Sequence, residues 1–589
     1  MTGWEVTFSK QFIEQPGNLC KSKKYVTKLD DEFSQIGTFE IPKEWLFRHS
    51  HPTKDLIFAG EVLSKDDKKV ASLQMIRGQQ VVQKRLEGYS TFYTDAYFAS
   101  PNPWWEEKYL FVCEKTIEAA NTYLETFGEK YDGMGNPVIG IYDFAKDKID
   151  FLDVDNYYPM SPSFLNDSTL VLQVYPKNEI KLGIIYCLNR PTQVALLDIA
   201  TKTVTVISDA SKSSRSPRIV NGLVYFLQGP LYYSHFPAAD VMCYDPVSKQ
   251  VTTVAKEVFE EILSSHISAA DLVMNPIVKI TQEIRTNSAT CEKDAELLAV
   301  HGEYYFYEKS SVKEFPSLHV GNLKSAQTKC IFEQPPLESM KAVEIEAINM
   351  SPISDALLYK KPGNKRLIVA PHGGPNSKVK DVFCDEINYY LSCGYDYVRI
   401  NYTGSVGYSQ AAIEKLVIGQ HEIEDTYQAA LKLKPRYDDI VVYGGSHGGF
   451  IIATLLGKYP TLFAAAAVMN PVIDLPSMAV STDITDWVFG QMQLPFDLNS
   501  LFNAETLQKL SEATPARFAK DIQAPILLLL GLKDRRVHHT QGLFWKKLCN
   551  GKDFSLRLYD DADHSLDSEK SNFDLPIQIA SFFDEKLKK

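Results

Sequence analysis

Ser446 stands in the stretch "VVYGGSHGGF" (441–450), between two pairs of glycines and directly after a short apolar run. A serine hydroxyl is a weak nucleophile until a base takes its proton, and an imidazole base needs a carboxylate to hold its tautomer and stabilise its charge. Two later residues meet those needs: Asp534, after the apolar run "ILLLLGLK", and His564, after "SLRLYDDAD". Together Ser446, Asp534 and His564 could carry out acyl transfer: attack on a carbonyl, formation of an acyl-enzyme, and its hydrolysis. Such chemistry also needs donors for the developing oxyanion. The backbone N–H of His447, the residue after the serine, is one candidate. The second is expected from the glycine-rich loop "APHGGPNS" (370–377), with Gly374 as the chosen donor. Taken singly, either glycine-rich stretch is also compatible with a plain turn.

The elements around these residues decide between the two readings. From about residue 365 strands and helices alternate. "RLIVAPHGGP" reads as a buried strand entering a loop, "DEINYYLSCG" as a helix ending at Gly394, "YDYVRINYTG" as a strand, "IEDTYQAALKLKPRY" as an amphipathic helix, and "DDIVVYGG" as a strand followed by the helix "FIIATLLGKYP". Then come "FAAAAVMNPV", the strand "PILLLLGL", a helix around "TQGLFWKKL", the strand "FSLRLYDD" and a closing helix, with a helical excursion over 475–515. Apolar strands alternating with helices specify a doubly wound, mostly parallel sheet. G-x-S-x-G at a strand-to-helix junction, followed in chain order by Asp and then His, is the pattern of an α/β hydrolase. Asp534 and His564 both fall where loops leave the C-terminal edge of that sheet, the ligand side of such folds. His538 and His539 lie too close to Asp534 to serve it, and nothing at ligand spacing completes a metal site with them. Asp560, Asp561 and Asp563 read as a solvated turn.

The first half has a different grammar. "PVIGIYDF", "TLVLQVY", "TQVALLDIA" and "GLVYFLQG" are short strands between polar turns. A shift of 55 residues places Asp143 on Asp198, Pro162 on Pro217 and Asn166 on Asn221, and a looser third copy places Asp245 47 residues after Asp198. Strand starts of similar type occur at "SHPTKDLIF" (50–58) and "MSPISDALLY" (350–359). Four strands per unit of about 40–50 residues mark β-propeller blades, and 340 residues would hold about seven. An irregular all-β sandwich is the alternative. The expected layout is a propeller over residues 1–340 and an α/β-hydrolase domain over 341–589, with the first thirty or so residues either joining the propeller or packing on the hydrolase.

A net charge of −12 argues against a nucleic-acid partner. The N-terminal "MTGWEVTFSKQF" has no basic segment leading into an apolar run, so no secretory leader is expected, and the longest apolar runs are too short to span a membrane. Nine scattered cysteines with no C-x-x-C pair fit free thiols in a reducing compartment, the cytoplasm.

The motifs "HGGPNS", "NYTGSVGYSQ" (401–410), "YGGSHGGF", "GLKDRRV" and "DHSL" resemble the prolyl oligopeptidase family of serine peptidases, most closely its acylaminoacyl-peptidases. The resemblance covers the last 230 or so residues and implies a triad of Ser446, Asp534 and His564. It implies that Arg536, two residues after the aspartate, binds a substrate backbone carbonyl; a plain salt bridge is the other reading. It implies a cofactor-free exopeptidase that removes an N-acylated amino acid from short peptides, with the propeller excluding folded proteins. Other activities of the same scaffold, or a propeller interaction protein with a relic hydrolase, remain open. So do the oligomeric state, a homo-oligomer included, and the preferred acyl group. Thr403 departs from the family pattern, which usually has arginine there. Trp487 and Phe489, in "DITDWVFG", are candidates for the wall of the substrate pocket, core packing being the alternative. Glu260 and Glu261 could hold a substrate ammonium or simply form a solvated face.

Overall fold

The structure, a computed structural model, describes residues 4–12, 21–29, 35–40, 46–50, 56–65, 68–77, 79–95, 97–117, 124–231, 234–258, 295–301, 304–322, 324–325, 327–335 and 337–588. The C-terminal half is built on one eight-stranded sheet. In spatial order its strands are Glu344–Ser351, Ser354–Lys360, Tyr395–Asn401, Arg366–Pro371, Asp439–Gly445, Ala466–Met469, Ile526–Gly531 and Phe554–Tyr559. The first two pairings are antiparallel and every later one is parallel. The central strands are apolar throughout because both their faces are covered. Val442, Val468, Leu528 and Leu530 point into one core, while Val441, Ala467, Leu527 and Leu529 point into the other. Helices His421–Leu433, His447–Lys458, Thr540–Leu548 and Glu569–Leu587 follow the expected alternation, and the excursion contains Leu475–Ser481, Thr485–Gln491 and Ala504–Ala513. The hairpin 344–360 corrects one detail of the repeat reading. "MSPISDALLY", which reads like another propeller strand, belongs to the antiparallel start of this sheet. Alternating burial marks an antiparallel strand without saying which sheet it joins.

The N-terminal half forms six antiparallel sheets among the described residues: one of three strands within 4–40, four of four strands each, and one of five within 89–152. Each is a near-continuous meander, as propeller blades are. The segment 259–294 lies outside the described residues, and so do Glu260 and Glu261. The 55-residue repeat has a structural cause. Asp143, Asp198 and Asp245 each end the third main strand of a sheet, and each carboxylate accepts a backbone N–H from the turn that follows, at Lys146, Thr201 and Val247. Ser161 and Ser216, just before the paired prolines, have positive φ at bulges in the first strand of their sheets. A proline, which cannot donate to a strand ladder, is tolerated at such a bulge.

The two halves meet through buried charge. Asp486, in the helix Thr485–Gln491, is fully buried and accepts from Arg190 Nη1 at 2.7 Å, His235 Nε2 at 3.2 Å and Asn189 Nδ2 at 3.2 Å. All three donors come from the propeller half. Among the described residues no helix is long and apolar enough to cross a membrane. Truncating Asp486 to alanine leaves a guanidinium buried without its counter-charge, and is expected to destabilise the protein by roughly 3–5 kcal/mol. A thermal unfolding midpoint equal to that of the unaltered protein would refute this account of the interface.

Candidate active site

The strand Asp439–Gly445 runs between Arg366–Pro371 and Ala466–Met469 and turns directly into the helix His447–Lys458. Ser446 occupies the corner with φ 56° and ψ −122°. This is a conformation that non-glycine residues rarely adopt, and it persists only where the surroundings over-determine it. Ser446 N–H donates to Met469 O at 3.0 Å, and its carbonyl accepts from Phe450 N at 3.1 Å. There is no room for side chains on either flank. A Cβ at Gly448 would sit 2.4 Å from Pro371 O, and one at Gly444 2.9 Å from the same oxygen.

His447 is fully buried, stacked on Phe450, and burial pushes its imidazole down to about 3, so the ring is neutral. Its nearest carboxylate oxygen, on Glu422, is 3.7 Å away, and burial pushes the Glu422 carboxyl up to about 7. The ring is thus turned into the core, while the residue's backbone begins the helix at the serine. The loop carrying Gly374 lies over the corner: a Cβ at the adjacent Gly373 would be 3.5 Å from Ser446 Cβ. Trp487 Nε1 donates to Gly374 O at 2.9 Å and pins that loop from the excursion helix. Thr403, at the position where the resembled family usually has an arginine, is held by its backbone, its N–H donating to Asp425 Oδ2 at 2.7 Å.

His564 Nδ1 lies 2.7 Å from Asp534 Oδ2, and Asp534 Oδ1 accepts from Arg536 N and Val537 N at 2.9 and 2.8 Å. Burial disfavours the His564 imidazolium, but the charge and hydrogen bond of Asp534 outweigh it, and the net direction is upward. His538 and His539 stand apart at the start of the next helix. Asp563 is less solvated than its sequence suggests, since its Oδ2 meets propeller Lys130 Nζ at 2.7 Å.

Ser446 and His564 open onto one cavity of about 300 Å³ between the two halves. Its floor and walls are largely apolar, with Val472, Met478, Ile484 and Trp487 from the hydrolase half and Tyr186 and Phe236 from the propeller. Of the two candidates for a pocket wall, Trp487 lines this cavity and Phe489 does not. Two residues apart on a helix are turned about 200° from one another, and Phe489 packs into the core against Phe496. Arg536 also lines the cavity. Its Nε and Nη2 donate to Asp483 at 3.3 and 3.0 Å, and its Nη1 to Ile185 O of the propeller at 2.6 Å. Each of its two terminal nitrogens keeps a second N–H.

Sequence reasoning missed three residues that hold this site. Asn470 bridges the loops, with Nδ2 donating to His564 O and Oδ1 accepting from Gly531 N. Asp483 anchors Arg536, and Glu129 reaches in from the propeller to accept from the backbone of His564. A carboxylate or amide that binds backbone groups elsewhere in the fold leaves no spacing motif by which to find it.

The fold and the site define a serine hydrolase with an α/β-hydrolase core. The prolyl oligopeptidase family matches residues 382–589. Acylamino-acid-releasing enzymes of rat and human are 25% and 26% identical over 515 and 507 residues, covering 77% and 75% of this chain and 70% and 69% of theirs. The match to the prolyl oligopeptidase family thus covers the C-terminal part of the chain, which is a serine peptidase. The whole fold is similar to that of the acylaminoacyl peptidase of Pyrococcus horikoshii, with a TM-score of 0.65 at 16% identity, covering 99% of this chain and 94% of that one. It is similar as well to a puromycin-hydrolyzing peptidase of Mycobacterium tuberculosis, with a TM-score of 0.62 at 15% identity, covering 99% and 93% of the two chains.

The elbow yields a direct test. Gly448→Ala must push a methyl against a backbone carbonyl, which has no rotamer to escape into. The expected outcome is a loss of about 1–3 kcal/mol in stability together with slower labelling of Ser446 by a fluorophosphonate. Wild-type labelling and an unmoved melting temperature would show that the corner is looser than described.

Proposed function

We propose that this protein is an exopeptidase that releases an N-acylated amino acid from the amino end of short peptides. The observation that carries this reading is the chemistry of the cavity wall. Among the described residues that line it there is no Asp or Glu. The carboxylates bonded to its lining residues are spent, Asp483 on Arg536, Asp486 on Arg190 and His235, and Asp534 on His564. A free peptide ammonium entering this cavity would lose its water and meet a guanidinium in place of a counter-ion, a cost of several kcal/mol. An acylated amine brings no charge and suits an apolar wall. The names of the rat and human relatives agree with this reading.

In the proposed cycle Ser446 Oγ attacks the carbonyl carbon of the acylated residue while His564 Nε2 accepts the serine proton. Nδ1–H of the resulting imidazolium donates to Asp534, which stabilises its charge without taking the proton. The backbone N–H groups of His447 and Gly374 receive the oxyanion. His564 then gives its proton to the leaving amine, and the shortened peptide departs. A water, deprotonated by the same imidazole, hydrolyses the ester on Ser446 and frees the acyl amino acid. Arg536, which lines the cavity and keeps two N–H groups beyond its bonds to Asp483 and Ile185, is the residue we assign to a substrate backbone carbonyl. The same proposal takes residues 1–340 as the propeller and 341–589 as the catalytic domain, the propeller restricting entry to short peptides. Free thiols at all the described cysteines support a cytoplasmic setting.

A substrate pair tests the reading. Release of N-acetyl-alanine from a blocked peptide is expected to exceed cleavage of the same peptide with a free amine by roughly 100-fold or more in kcat/KM; preference for the free amine would sink it. Asp534→Asn should lower kcat by ~10³–10⁴-fold. As pH falls, His564 becomes protonated and cannot accept the serine proton, so activity is lost on the acid side. Because its pKa is raised, the midpoint of that limb is expected above the ordinary imidazole value of about 6.5. A limb centred below that value would contradict the Asp534–His564 pairing as the source of the shift.

A further inference from the structure

The propeller contributes more to this site than a cover. Between the strands Lys108–Lys115 and Pro137–Asp143 it sends out an arm, residues 124–136, whose base is pinned inside the propeller. Buried Glu114 Oε2 accepts from Tyr93 OH at 2.6 Å, Asn136 N at 2.8 Å and Gly135 N at 3.2 Å. Lys181 Nζ donates to Glu125 O and Gly135 O at 2.7 and 2.9 Å. A buried cation and a buried anion, each satisfied by backbone groups of the arm, fix its position relative to the sheets.

At the tip of the arm stands Glu129, 2% exposed. Its Oε1 accepts from His564 N at 2.7 Å and its Oε2 from Arg535 N at 3.0 Å. One carboxylate thus ties together the loop that carries the histidine and the loop that carries the aspartate. The neighbouring bonds close the same joint. Glu129 N donates to Asp483 Oδ2 at 2.8 Å, and Lys130 Nζ meets Asp563 Oδ2 and Asp567 Oδ1 at 2.7 and 2.8 Å. Burial pushes the Glu129 carboxyl up, against the two N–H bonds that favour its ionised form.

We propose that Glu129 is a positioning residue for the hydrolysis reaction: by accepting both backbone N–H groups, it holds His564 against Asp534 in the register that the chemistry needs. The proposal rests on the reading of Ser446, Asp534 and His564 as the catalytic triad. Its physical basis is the sensitivity of proton transfer to placement, since a shift of about 1 Å in a reacting group can lower a rate by ~10²-fold. Two loops of one domain are thereby held by a residue of the other, so that the triad is set only when the propeller is seated.

The test uses the full-length protein and a blocked peptide substrate. Glu129→Ala removes both acceptors, and Glu129→Gln keeps the shape but replaces one acceptor oxygen by an amide donor. Both are expected to lower kcat by roughly 10–100-fold, the glutamine variant less than the alanine one, while KM stays within about threefold. The charged groups facing the His564 imidazole are Asp534, Arg536 and Glu129, with Asp563 and Lys130 beside its backbone. Removing the Glu129 negative charge destabilises the imidazolium, so the acid limb of kcat/KM should move to lower pH in both variants. A merely structural role would lower the melting temperature and leave that limb in place. Ser446→Ala and His564→Ala are measured beside them. If these two are inactive and the Glu129 variants keep wild-type kcat, or lose it with an unmoved acid limb, the positioning role is overturned and the triad reading stands. If Ser446→Ala retains turnover, the triad reading fails and this proposal with it.

Discussion

A carboxylate taken out of water must meet a cation or a set of N–H donors, or it does not stay ionised. Three buried carboxylates at the joint between the halves, on Glu129, Asp483 and Asp486, each take at least one donor from across that joint. Asp486 needs Arg190 and His235 from the propeller, and Glu129 needs backbone N–H groups from the hydrolase loops. Asp483 takes N–H donors from both sides, Arg536 and Glu129. The geometry around it is so close that a Cβ at Gly128 or Gly183 would fall 2.2 or 2.1 Å from its Oδ2. This mutual satisfaction sets the orientation of the two halves, and with it the shape of the cavity between them.

The consequence for the site is an uneven distribution of charge. Carboxylates are plentiful in the wall behind the cavity and missing, among the described residues, from its surface. What lines the cavity, beside Ser446 and His564, is a largely apolar set of side chains, the Arg536 guanidinium, and the uncharged or basic polar groups of Asn376, Ser377 and His235. The apolar faces of Trp487, Met478 and Ile484 come from the same excursion whose aspartates hold the propeller. The cavity wall and the contact between the halves are therefore built from one short stretch of chain, residues 478–487.

Much of this was legible from local rules. The elbow was recognisable because its requirement is steric and close at hand: a strand, a tight corner, a helix, and flanking glycines where Pro371 O leaves no space for a Cβ. The alternation of strands and helices followed from burial of the central strands on both faces. The blade repeat was visible because Asp143, Asp198 and Asp245 perform the same turn-capping task in successive sheets. The hairpin 344–360 was harder to assign, since an antiparallel strand with alternating burial looks alike in a blade and at the start of the hydrolase sheet. Trp487 and Phe489 looked equivalent in the sequence, and helical geometry sent one to the cavity and the other to the core.

By itself, the sequence determined the chemistry available: a serine at a forced corner, an aspartate and a histidine in the order that an α/β sheet delivers to one edge, and a family resemblance in the motifs around them. Only the tertiary structure decided which charges are spent and which are left for a substrate. Arg536 could be read as a substrate ligand or a salt bridge, and it lines the cavity while bound to Asp483. Glu129, 435 residues from His564, had no motif at all. The reason is physical. Backbone sterics and burial periodicity act over a few residues and leave a pattern in the sequence. The pairing of buried charges depends on where distant segments come to rest, and leaves none.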